Sequence, residues 1–212
     1  VLFPEGTSHS QSSMLRFKTG PIRTVLAAAA LAKAKGLPLP HLVPVGLHFR
    51  KRELFRTDKY VEFGTPITLD DETIPDEMVN AVRDGGWVEP PVETVHQIRD
   101  ELQARLPSMT PNTSTWEEHR ALHLLAHVKS RAEGERLPDW PAEVHAARSV
   151  RDEWPGRDPI FPPQPLTGER FEQATEAAEL LEARGLDGRD LGPKGRVFRR
   201  AKFNRLPSAV LS

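Results

Sequence analysis

The residues able to do chemistry crowd into the first twenty positions, VLFPEGTSHSQSSMLRFKTG. Glu5, Gly6, Thr7, Ser8, His9 and Ser10 bring a carboxylate, three hydroxyls and a titratable ring into six consecutive positions, and Lys18 follows closely. Hydroxyls and free backbone N–H groups of a glycine-containing loop donate to phosphate oxygens. A lysine ammonium is a compact charge suited to a phosphate dianion. His9 can donate to phosphate or carry a proton. Gly6 suits a positive φ or a close approach of backbone to ligand. By composition alone the same residues also fit an ordinary capped turn beside a solvated lysine. The elements that must position them are short. Val1-Leu2-Phe3 reads as the end of a buried strand that stops at Pro4, and Gly20-Pro21 opens a helix. A strand end, a polar loop and a helix start is the place where α/β proteins bind phosphorylated ligands.

Three motifs follow one another in order: Phe3-Pro4-Glu5-Gly6-Thr7, then Phe17-Lys18-Thr19-Gly20, then Val43-Pro44-Val45-Gly46-Leu47. Together they resemble the glycerolipid acyltransferases. Ser8-His9 with Leu15-Arg16-Phe17-Lys18-Thr19-Gly20 is most similar to the branch acting on glycerol-3-phosphate and dihydroxyacetone phosphate. The resemblance covers about 1–132. It implies an α/β fold: the C-terminal part of an acyltransferase-type αβ sheet domain, followed by a helical extension. It implies transfer of an acyl group from acyl-CoA or acyl-carrier protein to a glycerol phosphate in phospholipid biosynthesis. It implies substrate binding by Pro4, Glu5, Gly6, Thr7, Ser8, His9 and Lys18, with no metal and no cofactor. It also implies a membrane-associated protein on the cytoplasmic face.

Two departures stand out. Many members carry Arg directly after Glu-Gly-Thr, where it contacts the substrate phosphate; here that position is Ser8, and Lys18 can supply the charge. The family's catalytic His-x-x-x-x-Asp lies upstream of Phe-Pro-Glu-Gly, and no such pair occurs in these 212 residues; His96 and Asp100 are one residue too close. The chain starts on Val1, inside the expected strand. The expectation is therefore a fragment, inactive alone, whose general-base histidine and its aspartate lie upstream. Two other readings remain: a non-catalytic lipid-binding or scaffold protein with the same fold, and a soluble phosphate-binding enzyme unrelated to lipids.

Composition sets bounds. Only 38% of residues are hydrophobic and 20 are proline, which suggests a modest core with extended connections. The absence of cysteine removes disulfides and thiolate metal sites. A net charge of −1 argues against general nucleic-acid binding. No run of 18 apolar residues occurs, so no segment reads as a membrane-spanning helix.

Along the chain, an alanine-rich helix is predicted from Pro21 to Lys35, ended by Gly36. A strand over 42–49, apolar enough to be central in a sheet, and a second over 60–63 follow. Residues 68–90 read as an acidic loop with one helical turn. Val92, Val95, Ile98, Leu102 and Leu106 keep helical period and predict an amphipathic helix on the sheet. Thr115 and Glu118 form a capping-box signature for a helix over 116–132. The expected domains are 1–90, the acyltransferase part; 91–133, the helical extension; 134–168, a proline-rich linker; and 169–212, a helix with a basic tail. His119, His123 and His127 form a stripe at i, i+4 and i+8. Its ends lie about 12 Å apart, too far to converge on one tetrahedral ion, so the stripe reads as structural. The tail residues Lys194, Arg196, Arg199, Arg200, Lys202 and Arg205 suit anionic lipid headgroups.

Overall fold

Helix formation begins where the loop of polar residues ends. The structure, a computed structural model, describes residues 1–155 and 162–192. The described residues divide into two compact units, one holding Val1–Trp116 with 162–165, the other holding 117–155 and 166–192.

In the first unit, α1 spans Gly20–Ala34 with Pro21 in its first turn, where a missing N–H costs nothing. It ends as Leu37 N–H reaches back to the Ala32 carbonyl at 2.9 Å. The strands β1 (Val45–Phe49) and β2 (Lys59–Phe63) pair antiparallel in register Val45↔Phe63 through Phe49↔Lys59. Then come α2 (Asp76–Arg83) and α3 (Val92–Arg105), which runs on into a 3₁₀ turn, Leu106–Met109. Ile22, Leu26, Ile74, Met78, Val95 and Ile98 are buried in one continuous core. Each such side chain contributes about 1.5–3 kcal/mol by leaving water.

The second unit begins at Glu117, one residue into α4 (Trp116–Ala132); α4, α5 (Trp140–Asp152) and α6 (Glu169–Ala183) bury Leu122, Ala126, Ala147, Val150 and Phe171 together. Lys129 of α4 donates to Glu153 at 2.9 Å, and that hydrogen bond raises the lysine pKa from its ordinary value.

Four expectations need correction. Val1, Leu2 and Phe3 are exposed and lie outside any strand; among the described residues no strand lies beside them, and an extended run becomes sheet only through a neighbour's hydrogen bonds. The strand expected over 42–49 is shorter. Leu42 makes only an isolated bridge to Ile67, because Pro44 carries no N–H for a ladder, and the regular strand starts at Val45. Nor is it central: the described sheet has two strands. The acidic stretch 68–90 holds a full two-turn helix, α2, with Met78 and Val79 buried. The proline-rich stretch 134–168 contains α5. Pro141 sits in its first turn, and the Asp139 carboxylate accepts the Ala142 N–H at 2.9 Å, so the proline starts a helix instead of blocking one.

The histidine stripe packs against α5. His119 and His123 meet edge to face with centroids 4.6 Å apart, and His123 stacks on Trp140 at 5.1 Å. His127 lies 3.4 Å from Glu143, both side chains nearly fully buried. The basic tail from Lys194 to Arg205 lies outside the described residues.

Candidate functional site

The loop between Pro4 and α1 is built from its own hydrogen bonds. Gly6 N–H donates to the Phe3 carbonyl at 3.1 Å, closing a tight turn in which Gly6 adopts φ +67°. That left-handed conformation disfavours side chains, so the turn wants glycine. Glu5 is the staple. Its Oε1 accepts Leu15 N–H at 2.8 Å and its Oε2 meets His9 Nε2 at 2.7 Å. Gln11 N–H points at His9 Nδ1 from 3.2 Å. Since Nδ1 accepts, Nε2 carries the hydrogen and donates it to Glu5. Both ring nitrogens of His9 are thus engaged inside the loop, which fits a role in shaping the loop better than one in proton transfer.

Lys18 returns to the same turn. Its backbone N–H donates to the Pro4 carbonyl at 2.8 Å. Its side-chain stem lies directly over Gly6: a Cβ built there would sit 3.1 Å from Lys18 Cγ. A second reason for glycine therefore adds to the first. The Lys18 residue is exposed, as are Gly6, Thr7 and Ser8. Thr7 Oγ1 makes a long 3.5 Å contact to the Ser8 carbonyl. Glu5, Gly6 and Lys18 are thus brought together by direct contacts, with Pro4 joined through its carbonyl and His9 through Glu5. Thr7 and Ser8 follow on the exposed limb of the turn.

The far limb of the loop is anchored by residues that local sequence reading missed. Ser12 Oγ donates to the Thr113 carbonyl at 2.9 Å, and Thr113 is completely buried. Trp116 Nε1 donates to the Ser10 carbonyl at 2.6 Å. Arg52, from the β1–β2 connection, donates to the His9 carbonyl at 3.2 Å, and its guanidinium lies 5.8 Å from the Trp116 ring centre. These partners are 43 to 106 residues away in sequence, and no local pattern announces such pairings.

The third motif serves close packing. A Cβ at Gly46 would stand 2.4 Å from the Met109 carbonyl oxygen and 3.1 Å from His48 Nε2. Only a residue without a side chain lets the 3₁₀ turn Leu106–Met109 come this near to β1. His48 is buried, stacks on Tyr60 at 5.4 Å, and lies 3.4 Å from Glu62. The other sheet face turns its apolar side chains outward: Val45, Leu47, Phe49, Val61 and Phe63 are all exposed.

Removing the staple gives a direct test of this geometry. Glu5→Ala strips the acceptor from the Leu15 N–H and from His9. The expected loss is about 1–2 kcal/mol of local stability, read as faster amide exchange at Leu15 and Gln11. Unchanged exchange at both amides would show that Glu5 does not hold the loop.

Among curated proteins, the glycerol-3-phosphate O-acyltransferase 2 of Saccharomyces cerevisiae is 31% identical over 116 residues, and glycerol-3-phosphate O-acyltransferase 1 of the same yeast is 29% identical over 116. The similarity is to acyltransferases. Each match covers 55% of this chain and 14% of the relative, so the matched part spans about one-seventh of the relatives' length. No protein-family model matches the chain, and no solved structure does.

Proposed function

We propose that this chain is the acceptor-positioning part of a glycerol-3-phosphate acyltransferase, with the 4–9 turn and Lys18 forming the cradle for the acceptor phosphate. The observation that carries the reading is the Glu5-stapled turn with the Lys18 stem laid across Gly6. It joins two separate motifs of the resemblance into one exposed, donor-rich surface. Thr7 and Ser8 contribute hydroxyls there, and Lys18 contributes the charge that the family's arginine, replaced here by Ser8, would have supplied. The loop runs straight into the N-terminus of α1, whose unpaired N–H groups favour anions.

In the reaction, the acceptor hydroxyl attacks the thioester carbonyl of acyl-CoA or acyl-carrier protein. A C–O bond forms, the C–S bond breaks, the hydroxyl proton passes to a general base, and the thiol departs. We assign the base to a His-x-x-x-x-Asp outside these 212 residues. The chain's own share is positioning, which lowers the barrier by making attack effectively intramolecular. We place the protein at the cytoplasmic face of a membrane. No helix among the described residues is long and apolar enough to cross one.

The chain itself permits a first test. Titration of labelled 1–212 with glycerol-3-phosphate should move the amides of Gly6, Thr7, Ser8 and Lys18, and glycerol should not. The same preparation should show no acyl transfer. Equal responses to glycerol and to glycerol-3-phosphate would remove the phosphate cradle, and saturable transfer would remove the assignment of the base to other residues. A lipid-binding scaffold with the same fold is the second reading. Transfer activity in a longer polypeptide that adds a His-x-x-x-x-Asp pair to this segment decides between them.

A further inference from the structure

The connection between β1 and β2 is unlike the rest of the chain. The whole sequence has a net charge of −1, yet residues 50–59 carry five basic and two acidic side chains, a local net charge of +3. One of the two acids is already matched, since Asp58 accepts from Arg50 Nε at 2.7 Å. At the tip of this basic hairpin stand Leu54, 52% exposed, and Phe55, 90% exposed. An aromatic ring almost wholly in water gains nothing from its own fold. The Arg56 guanidinium sits 5.3 Å from that ring's centre. Arg56 also adopts φ +58°, a left-handed conformation that side chains disfavour, so the tip is held in a strained turn.

We propose that this hairpin tip docks on an anionic membrane surface, with Leu54 and Phe55 entering the headgroup–acyl boundary and Lys51, Arg56 and Lys59 engaging lipid phosphates. Charge decides the occupant. A protein partner of ordinary composition has no need of a cationic collar around two apolar side chains, whereas an anionic bilayer offers both a negative surface and an apolar layer beneath it. Arg52, in the same connection, holds the His9 carbonyl. A docked hairpin would therefore bring the 8–10 loop near the lipid surface. The proposal stands on the hairpin alone and holds whether or not the chain takes part in acyl transfer. It is also separate from the basic tail at 194–205.

The test is co-sedimentation of the full 212-residue chain with phosphatidylcholine vesicles, with and without phosphatidylglycerol. Binding is expected only to the anionic vesicles, and raised salt should weaken it. The double variant Leu54→Ser/Phe55→Ser should lower the partition coefficient at least about tenfold. Lys51→Gln and Arg56→Gln should each lower it about fivefold. All four side chains are exposed, so circular dichroism should stay unchanged. Three results would overturn the proposal: no binding by the parent chain, full binding by the double variant with loss only when the tail's basic residues are replaced, or concentration-dependent self-association that the double variant abolishes in the absence of lipid.

Discussion

Lys18→Ala is expected to weaken glycerol-3-phosphate binding by about ten- to a hundredfold, since a hydrogen bond to a charged group contributes about 1.5–3 kcal/mol. The main-chain bond from Lys18 N–H to the Pro4 carbonyl survives the substitution, so the turn itself should persist. Lys18→Met separates the two parts of the side chain. It keeps a stem over Gly6 and removes the charge, and should lose as much affinity as Lys18→Ala. In a longer polypeptide carrying this segment with a His-x-x-x-x-Asp pair, KM for the phosphorylated acceptor should rise by the same factor while KM for the acyl donor changes little. Ser8→Arg should restore part of the loss in the Lys18→Ala background, because it returns a cation to the neighbouring limb of the turn. Calorimetry on the chain and steady-state kinetics with each substrate varied are the measurements. Unchanged acceptor affinity in both Lys18 variants would place the phosphate elsewhere.

Gly46→Ala is expected to cost about 3 kcal/mol, at the upper end for overpacking, because the new methyl group meets a backbone oxygen. The Met109 carbonyl, at 2.4 Å from the added Cβ, cannot swing aside as a flexible side chain would. Relief requires β1 and the Leu106–Met109 turn to separate, which loosens Met109 and His48 together. Unfolding of the first unit should shift down by roughly 15 °C, by the usual conversion for a domain of about 100 residues. Gly64→Ala serves as the comparison. Its Cβ would strike the Met109 Sδ at 2.6 Å, but a thioether can rotate away, so a smaller loss is expected. Equal losses in the two variants, or none at Gly46, would contradict the account of why glycine stands in this motif.

These two glycines, Gly6 and Gly46, also mark how far sequence reading reaches. Gly6 was legible because its reason is local: a tight turn after a proline, closed within four residues. Gly46 carried a motif resemblance without a visible cause, since the atom that forbids a side chain there belongs to Met109, 63 positions later. The helices follow the same division. α1, α3, α4 and α6 announce themselves through helical period, alanine content and their stops, all short-range properties. α5 was hidden by reading its prolines as breakers. Pro141 occupies the first turn, where proline is harmless, and only the Asp139 cap reveals the start.

The strands were harder, because strand identity depends on a neighbour. Val1-Leu2-Phe3 has the apolar character of a strand and no partner among the described residues. Among the described residues β1 has a partner on one edge only, and its apolar positions face outward, an arrangement that alternation in the sequence cannot orient.

Short-range patterns carry the local half of this protein: the Glu-Gly-Thr turn, the Lys18 that follows it, the helices α1, α3, α4 and α6, and the order of three motifs. Those features depend on residues a few positions apart, where dihedral preference and spacing suffice. Tertiary structure alone decided that Glu5 is consumed as a staple for His9 and Leu15, that the Lys18 stem crosses Gly6, and that Ser12, Arg52, Thr113 and Trp116 hold the loop. Such pairings span as many as 106 residues, and which donor meets which carbonyl is fixed only when the core around Ile22, Leu26 and Val95 brings the distant segments together.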